Sequence, residues 1–141
     1  MKNYFLIILV ALLALSSCRK DKVGEIDLPK GFIENDWDAT LLAAQENDRN
    51  VFVHFYASWC VKCADLKENT LNDVTVEDYL YDNFVSASLD KEEGRGLELF
   101  EEHDLMAMPA LCVFDKDGSL ITVHYGKLDP APFIEWIQEF E

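Results

Sequence analysis

Basic charge, long apolar runs and cysteine are all scarce in this chain, and each shortage excludes something. Lys and Arg number 12 against 27 Asp and Glu, for a formal charge of −15. Such a surface repels phosphate, which argues against a nucleic-acid partner. Any electrostatic steering would favour a basic patch on a partner. The unbroken apolar run from Phe5 to Leu15 is too short to span a bilayer comfortably. Gly, Pro and Ser are nowhere concentrated, and there is no internal repeat or low-complexity tract. The four cysteines, Cys18, Cys60, Cys63 and Cys112, do not read as a disulfide framework. A single CxxC is half of many zinc sites, but no second CxxC and no HxxxH pair completes the usual four ligands, so no metal is expected. The 141 residues suit one domain with a core large enough to fold without disulfide staples.

The first residues have the pattern of an export signal. Met1-Lys2-Asn3-Tyr4 is a short basic segment, and the apolar run follows it directly. Leu15-Ser16-Ser17-Cys18 resembles the lipobox of bacterial lipoproteins. That resemblance implies a signal peptide over residues 1–17, cut before a lipidated Cys18; an ordinary signal peptide is the alternative. Residues 18–30 are polar and aperiodic, and they read as a tether. The folded domain is then expected over residues 31–141, in a compartment where disulfides form and need management.

Within the domain, Gly31-Phe32-Ile33 reads as a short strand. Asp36 is suited to cap a helix from Trp37 to about Asn47, with Trp37, Leu41, Leu42 and Ala44 as its apolar stripe. Val51 to Tyr56 is apolar on both faces except at His54, as in a central parallel strand. A helix should follow the CxxC to about Asn69, and a second, capped near Asn72 or Asp73, should turn Val76, Tyr79 and Leu80 inward. Phe84 to Leu89 is the next strand, and Glu92 to His103 an acidic amphipathic helix whose charged residues form a solvated face. Ala110 to Phe114 and Ser119 to Tyr125 flank a hairpin turn at Asp115-Lys116-Asp117-Gly118. A last helix runs from near Pro130 to Phe140. This order predicts an α/β fold with a central mixed sheet flanked by helices.

The chemistry concentrates in Ser58-Trp59-Cys60-Val61-Lys62-Cys63, where a strand hands over to a helix. A thiol at a helix N-terminus meets unpaired N–H groups and the positive end of the helix dipole, which favour thiolate. Cys63 is one turn further on, within reach of a disulfide. Lys62 adds a charge expected to favour the Cys60 thiolate, unless solvent screening cancels it. His54 is either an ordinary core histidine or a neutral imidazole that accepts the Cys63 proton. Cys112, inside an apolar strand, is expected to be inert packing. The pair itself leaves three uses open: redox exchange, a purely structural disulfide, or part of a metal site that recruits His54.

From Val51 to Ile137 the chain resembles thioredoxin-like proteins, and most closely the C-terminal periplasmic domain of the transmembrane thiol–disulfide interchange protein (DsbD type). Phe55-Tyr56-Ala57-Ser58-Trp59-Cys60-Val61-Lys62-Cys63, Glu68-Asn69-Thr70-Leu71-Asn72-Asp73 and Met108-Pro109 carry the resemblance. It implies a thioredoxin-like fold with Cys60 as exposed nucleophile and Cys63 as the more buried resolving thiol. It further implies a cis bond before Pro109, a Met108 backbone that pairs with an extended substrate, and Trp59 at the rim. The chain departs from the pattern at His54 and Lys67, where the DsbD-type domain has acids, and at Ala110, where many relatives have threonine.

These readings together predict a protein-disulfide reductase or electron relay, lipid-anchored on the periplasmic side of a bacterial membrane. Arg19 after the lipidated cysteine favours the outer membrane. The expected protein is a monomer with no bound cofactor beyond the Cys60–Cys63 pair. It would act on disulfide-containing exported proteins and draw electrons from an upstream membrane or soluble donor. The alternatives are a disulfide oxidase or isomerase, and a non-catalytic thioredoxin-like binding module.

Overall fold

The computed structural model describes residues 26–141. The expected signal peptide, Cys18 and most of the expected tether lie outside the described residues. Residues 26–30, the end of that stretch, lie against the domain. Pro29 is buried, Leu28 packs on the core, and the Asp27 carbonyl accepts a hydrogen bond from Asn72 Nδ2 at 3.1 Å.

The elements are β1 (Phe32–Glu34), α1 (Trp37–Asn47), β2 (Val51–Tyr56), α2 (Val61–Leu66), α3 (Val74–Asn83), β3 (Val85–Asp90), α4 (Gly94–Glu102), β4 (Ala110–Phe114), β5 (Leu120–Tyr125) and α5 (Pro130–Ile137). They build one mixed sheet in the order β1-β3-β2-β4-β5, with β1, β3 and β2 parallel and β4 and β5 antiparallel. β2 is central and buried at every residue but Tyr56, as its apolar sequence requires. Its pairing with β4 sets Phe55 opposite Ala110, which brings Pro109 to the end of β2 that leads into the CxxC.

The alternation of side chains along β2 divides the core between two faces. Val51, Val53 and Phe55 join Cys112, Phe114 and Leu89 under Trp37 of α1 and Leu99 of α4. Phe52 joins Leu111 and Val113 under Leu66, Val76, Leu80, Phe133 and Ile137 from the opposite helices. Edge-to-face contacts, Trp37 on Phe114 and Phe52 on Phe133, fasten each layer. Burying each of these large side chains contributes about 1.5–3 kcal/mol before conformational entropy is counted.

Local signals act as their chemistry dictates. Asp36 caps α1 by accepting from the Ala39 amide at 2.9 Å, and Asp73 caps α3 through the Thr75 and Val76 amides. Gly96 admits the end of β3 so closely that a Cβ there would lie 2.1 Å from the Asp90 carbonyl oxygen.

Several expected boundaries shift. The helix after the CxxC is regular only to Leu66 and widens into a π turn over Lys67–Leu71. The wider turn keeps Leu66, Thr70 and Leu71 all facing inward, and the Thr70 hydroxyl donates to the Leu128 carbonyl at 2.6 Å. Leu42 is 57% exposed, because Trp37, Thr40 and Ala44 form the inward stripe of α1. The acidic helix begins at Gly94, and Phe84 closes α3 rather than opening β3. No helix among the described residues is long and apolar enough to cross a membrane.

Candidate redox site

The turn Ala57-Ser58-Trp59 carries the chain from β2 into α2, and the Cys60 amide donates to the Ala57 carbonyl at 3.0 Å. Cys60 is the N-cap of α2, in extended backbone, and its Sγ accepts the Cys63 amide at 3.2 Å. Sulfur therefore takes the place that Ser or Asp oxygen fills at most helix starts. Cys60 and Cys63 are joined in a disulfide, with Cα atoms 5.2 Å apart. Cys60 is 9% exposed and Cys63 2%. The order of accessibility matches the resemblance, although Ala57, Tyr56 and Met108 pack close around the pair and leave only a narrow opening to Cys60.

Met108 reaches the disulfide from the segment before β4. The Met108–Pro109 peptide is cis, Pro109 is buried, and its carbonyl accepts the Gly126 amide at 2.9 Å. Met108 makes no backbone–backbone hydrogen bond among the described residues. On the outer side a shallow groove runs between Met108 and the residues Trp59, Cys60, Val61 and Lys62. Trp59 is 60% exposed, and its indole Nε1 donates to Glu92 Oε1 at 2.8 Å. The Lys91 ammonium lies 5.9 Å from the Trp59 ring centroid. Glu92 is solvent-exposed, as expected of this acidic stretch. It precedes α4 and holds the rim tryptophan. Lys62 projects into solvent beside the pair.

Beneath the disulfide is a chamber of about 130 Å³, bounded by His54, Ser88, Glu34, Lys67, Cys60 and Cys63. His54 is 1% exposed, and neither ring nitrogen has a hydrogen-bond partner within the protein. Burial, reinforced by the positive charge of Lys67, brings its pKa down to about 3, so the imidazole is neutral at physiological pH. Ser88 Oγ is likewise buried without a partner. At the chamber edge the Tyr56 hydroxyl donates to Glu34 at 3.4 Å and accepts from Asn35 Nδ2 at 3.2 Å. Burial foremost raises the Tyr56 pKa.

Lys67 completes this chamber. Its Nζ donates to the Ile26 carbonyl at 2.6 Å, across 41 positions of sequence. In the sequence it stood out only as a departure from the family pattern, and the Ile26 contact left no local signal. Cys112 lies on the other face of the sheet, opposite Val53 in β4, fully buried, with its thiol pushed up to about 12 by burial. Among the described residues no group of three or more His, Cys, Asp or Glu side chains is gathered as a metal site.

A family profile described as thioredoxin-like matches residues 33–116. This chain belongs to the thioredoxin-like family. The thiol:disulfide interchange protein DsbD of Vibrio vulnificus is 25% identical over 126 residues, covering 86% of this chain and 21% of that protein. DsbD of Pseudoalteromonas atlantica is 31% identical over 90 residues, covering 62% of this chain and 15% of that protein. The chain therefore spans about a fifth or less of the curated relatives it matches. Among solved structures, the oxidised C-terminal domain of Neisseria meningitidis DsbD superposes with a TM-score of 0.62 at 27% identity, covering 73% of this chain and 90% of that one. A thioredoxin from Thermus thermophilus reaches 0.68 at 23% identity, over 77% of this chain and 86% of that one, and supports the fold. With its CxxC pair joined in this setting, the thioredoxin-like chain is a thiol–disulfide oxidoreductase.

Proposed function

We propose that this oxidoreductase is an exported, lipid-anchored monomer that reduces disulfides in exported proteins or relays electrons by dithiol–disulfide exchange. A disulfide at the N-cap of α2, facing the Met108–Pro109 segment, carries the reading. A dithiol donor, soluble or in the membrane, first reduces Cys60–Cys63 and leaves as its own disulfide. The Cys60 thiolate then attacks a substrate disulfide, forming a mixed disulfide and releasing one substrate thiolate. The Cys63 thiolate attacks Cys60 Sγ, releases the second substrate thiolate and restores the Cys60–Cys63 disulfide. Two electrons pass from donor to substrate, and the cysteine pair is the only redox group required.

In this reading Met108 pairs through its backbone with an extended substrate segment held in register by Pro109, and Trp59 shields the rim. His54, a neutral imidazole lining the same chamber, takes the Cys63 proton only transiently as Cys63 attacks, because burial makes it a weak base. Lys62 favours the Cys60 thiolate from the outer side. Cys18 carries the lipid, with the outer membrane preferred.

Substrate trapping tests the proposal. In cells expressing the full chain with Cys63→Ala, exported proteins should accumulate as reductant-sensitive adducts on Cys60. The adducts should disappear when Cys60→Ala is added. A Cys63→Ala chain that captures nothing and shows no turnover of a model disulfide would instead indicate a non-catalytic module. Palmitate labelling, abolished by Cys18→Ala, would establish the anchor, and unlabelled wild-type protein would refute it.

A further inference from the structure

We propose that Lys67 is a positioning residue for this exchange: its ammonium, moored on the Ile26 carbonyl one turn beyond Cys63, stabilises the thiolate of the reduced Cys60–Cys63 pair. The inference rests on the oxidoreductase reading above and adds a residue to its machinery.

Three observations support it. The Lys67 amide donates to the Cys63 carbonyl, so the two side chains leave the helix on one face, four residues apart. The same Lys67 lines the chamber onto which both cysteines open. Its long side chain would ordinarily extend into water, yet Nζ is held at 2.6 Å by a main-chain oxygen from the segment that enters the domain. A carbonyl fixes the ammonium without neutralising it, and Lys67 enters none of the ion pairs among the described residues.

The remaining chamber groups leave that charge little opposition. His54 from β2 is neutral, and Ser88 from β3 is uncharged. Tyr56 from β2 is neutral as well, because burial raises it further above its ordinary range. Glu34 from β1 is the one carboxylate lining the chamber among the described residues, and it is exposed and engaged by the Tyr56 hydroxyl. Lys62 contributes positive charge from the solvent side, where screening is strongest. When the disulfide takes up two electrons, one sulfur keeps a negative charge beside the cation. The reduced form gains, and the couple becomes more oxidising.

The test uses the full chain in detergent, equilibrated with defined ratios of reduced and oxidised glutathione. The oxidised fraction is read by alkylation and mass. The reaction is protein disulfide plus two glutathione thiols giving protein dithiol plus glutathione disulfide. Lys67→Met should lower its equilibrium constant about tenfold, equivalent to ~30 mV toward the reducing side. Lys67→Glu should move it further in that direction, and Lys67→Arg should stay close to wild type. Thiolate absorbance near 240 nm should rise at higher pH in Lys67→Met than in wild type. Lys67→Gln replaces Lys67→Met if the latter loses its native circular dichroism. Equal constants and equal thiolate titrations in wild type and the neutral variants would overturn the role of Lys67. A wild-type chain that does not exchange with glutathione would overturn the oxidoreductase reading itself.

Discussion

Cys112 and the Cys60–Cys63 pair carry the same functional group in opposite settings, one inside the sheet and the other beyond the end of its central strand. Cys112 sits in β4 among Val53, Ala87 and Phe114, with no charge or donor near enough to offset its burial. Its thiol is pushed up to about 12 and stays protonated. Cys60 stands at a helix start, receives an amide hydrogen bond on sulfur and borders a chamber with a fixed ammonium. The difference teaches that position in the fold, rather than residue type, turns a buried sulfur into a reactive one.

The largest expected effect comes from exchanging the fates of these cysteines. Cys60→Ala should reduce disulfide turnover by about a thousandfold or more, because no other thiol can begin the exchange. Cys112→Ala should leave turnover within about twofold and cost about 1 kcal/mol in denaturant melts through lost packing. If Cys112→Ala impaired turnover while the protein remained folded, the contrast would fail.

Acid should expose the buried imidazole next. The folded-state pKa of His54 lies far below its ordinary value of 6.5, so the unfolded chain binds a proton that the native chain does not. Stability from this residue is complete above about pH 6.5 and declines as pH falls toward about 3. The loss should be on the order of 3–5 kcal/mol. Urea melts across that range should show it, and His54→Leu should flatten the profile. Depressed carboxylates such as Asp48 and Asp65 contribute lower in the range and should persist in the variant.

Two smaller effects sharpen the comparison. Iodoacetamide at neutral pH should label Cys60 rapidly after reduction and leave Cys112 unmodified until denaturant is added; fast native labelling at Cys112 would contradict its inertness. Trp59→Ala should leave stability within about 0.5 kcal/mol, as for an exposed residue, while raising KM for a protein substrate severalfold. An unchanged KM would remove Trp59 from the recognition surface.

Much of the fold was legible locally. Asp36 and the Asn72-Asp73 pair announced helix starts, β2 declared itself central by being apolar on both faces, and the CxxC fell at a strand-to-helix junction. What was misread or missed depended on distant partners. Leu42 fits a helical stripe by spacing, yet it points outward because α1 meets the sheet through Trp37, Thr40 and Ala44. Glu92 is solvated as its sequence suggested, yet its bond to Trp59, 33 positions away, had no local signal.

The sequence by itself determined the order of strands and helices, the dithiol spacing and the anomaly of a histidine in the central strand. Periodicity, capping and motif spacing are properties of neighbouring residues. Tertiary structure alone decided that His54 and Lys67 share a chamber under the disulfide, that the Ile26 carbonyl moors the lysine, and that Cys112 falls on the dry face. Those facts depend on which face of a sheet a residue takes and which chain segments cross it. Only the packed fold, with its low-dielectric interior, converts them into the lowered pKa of His54 and the raised pKa of Cys112.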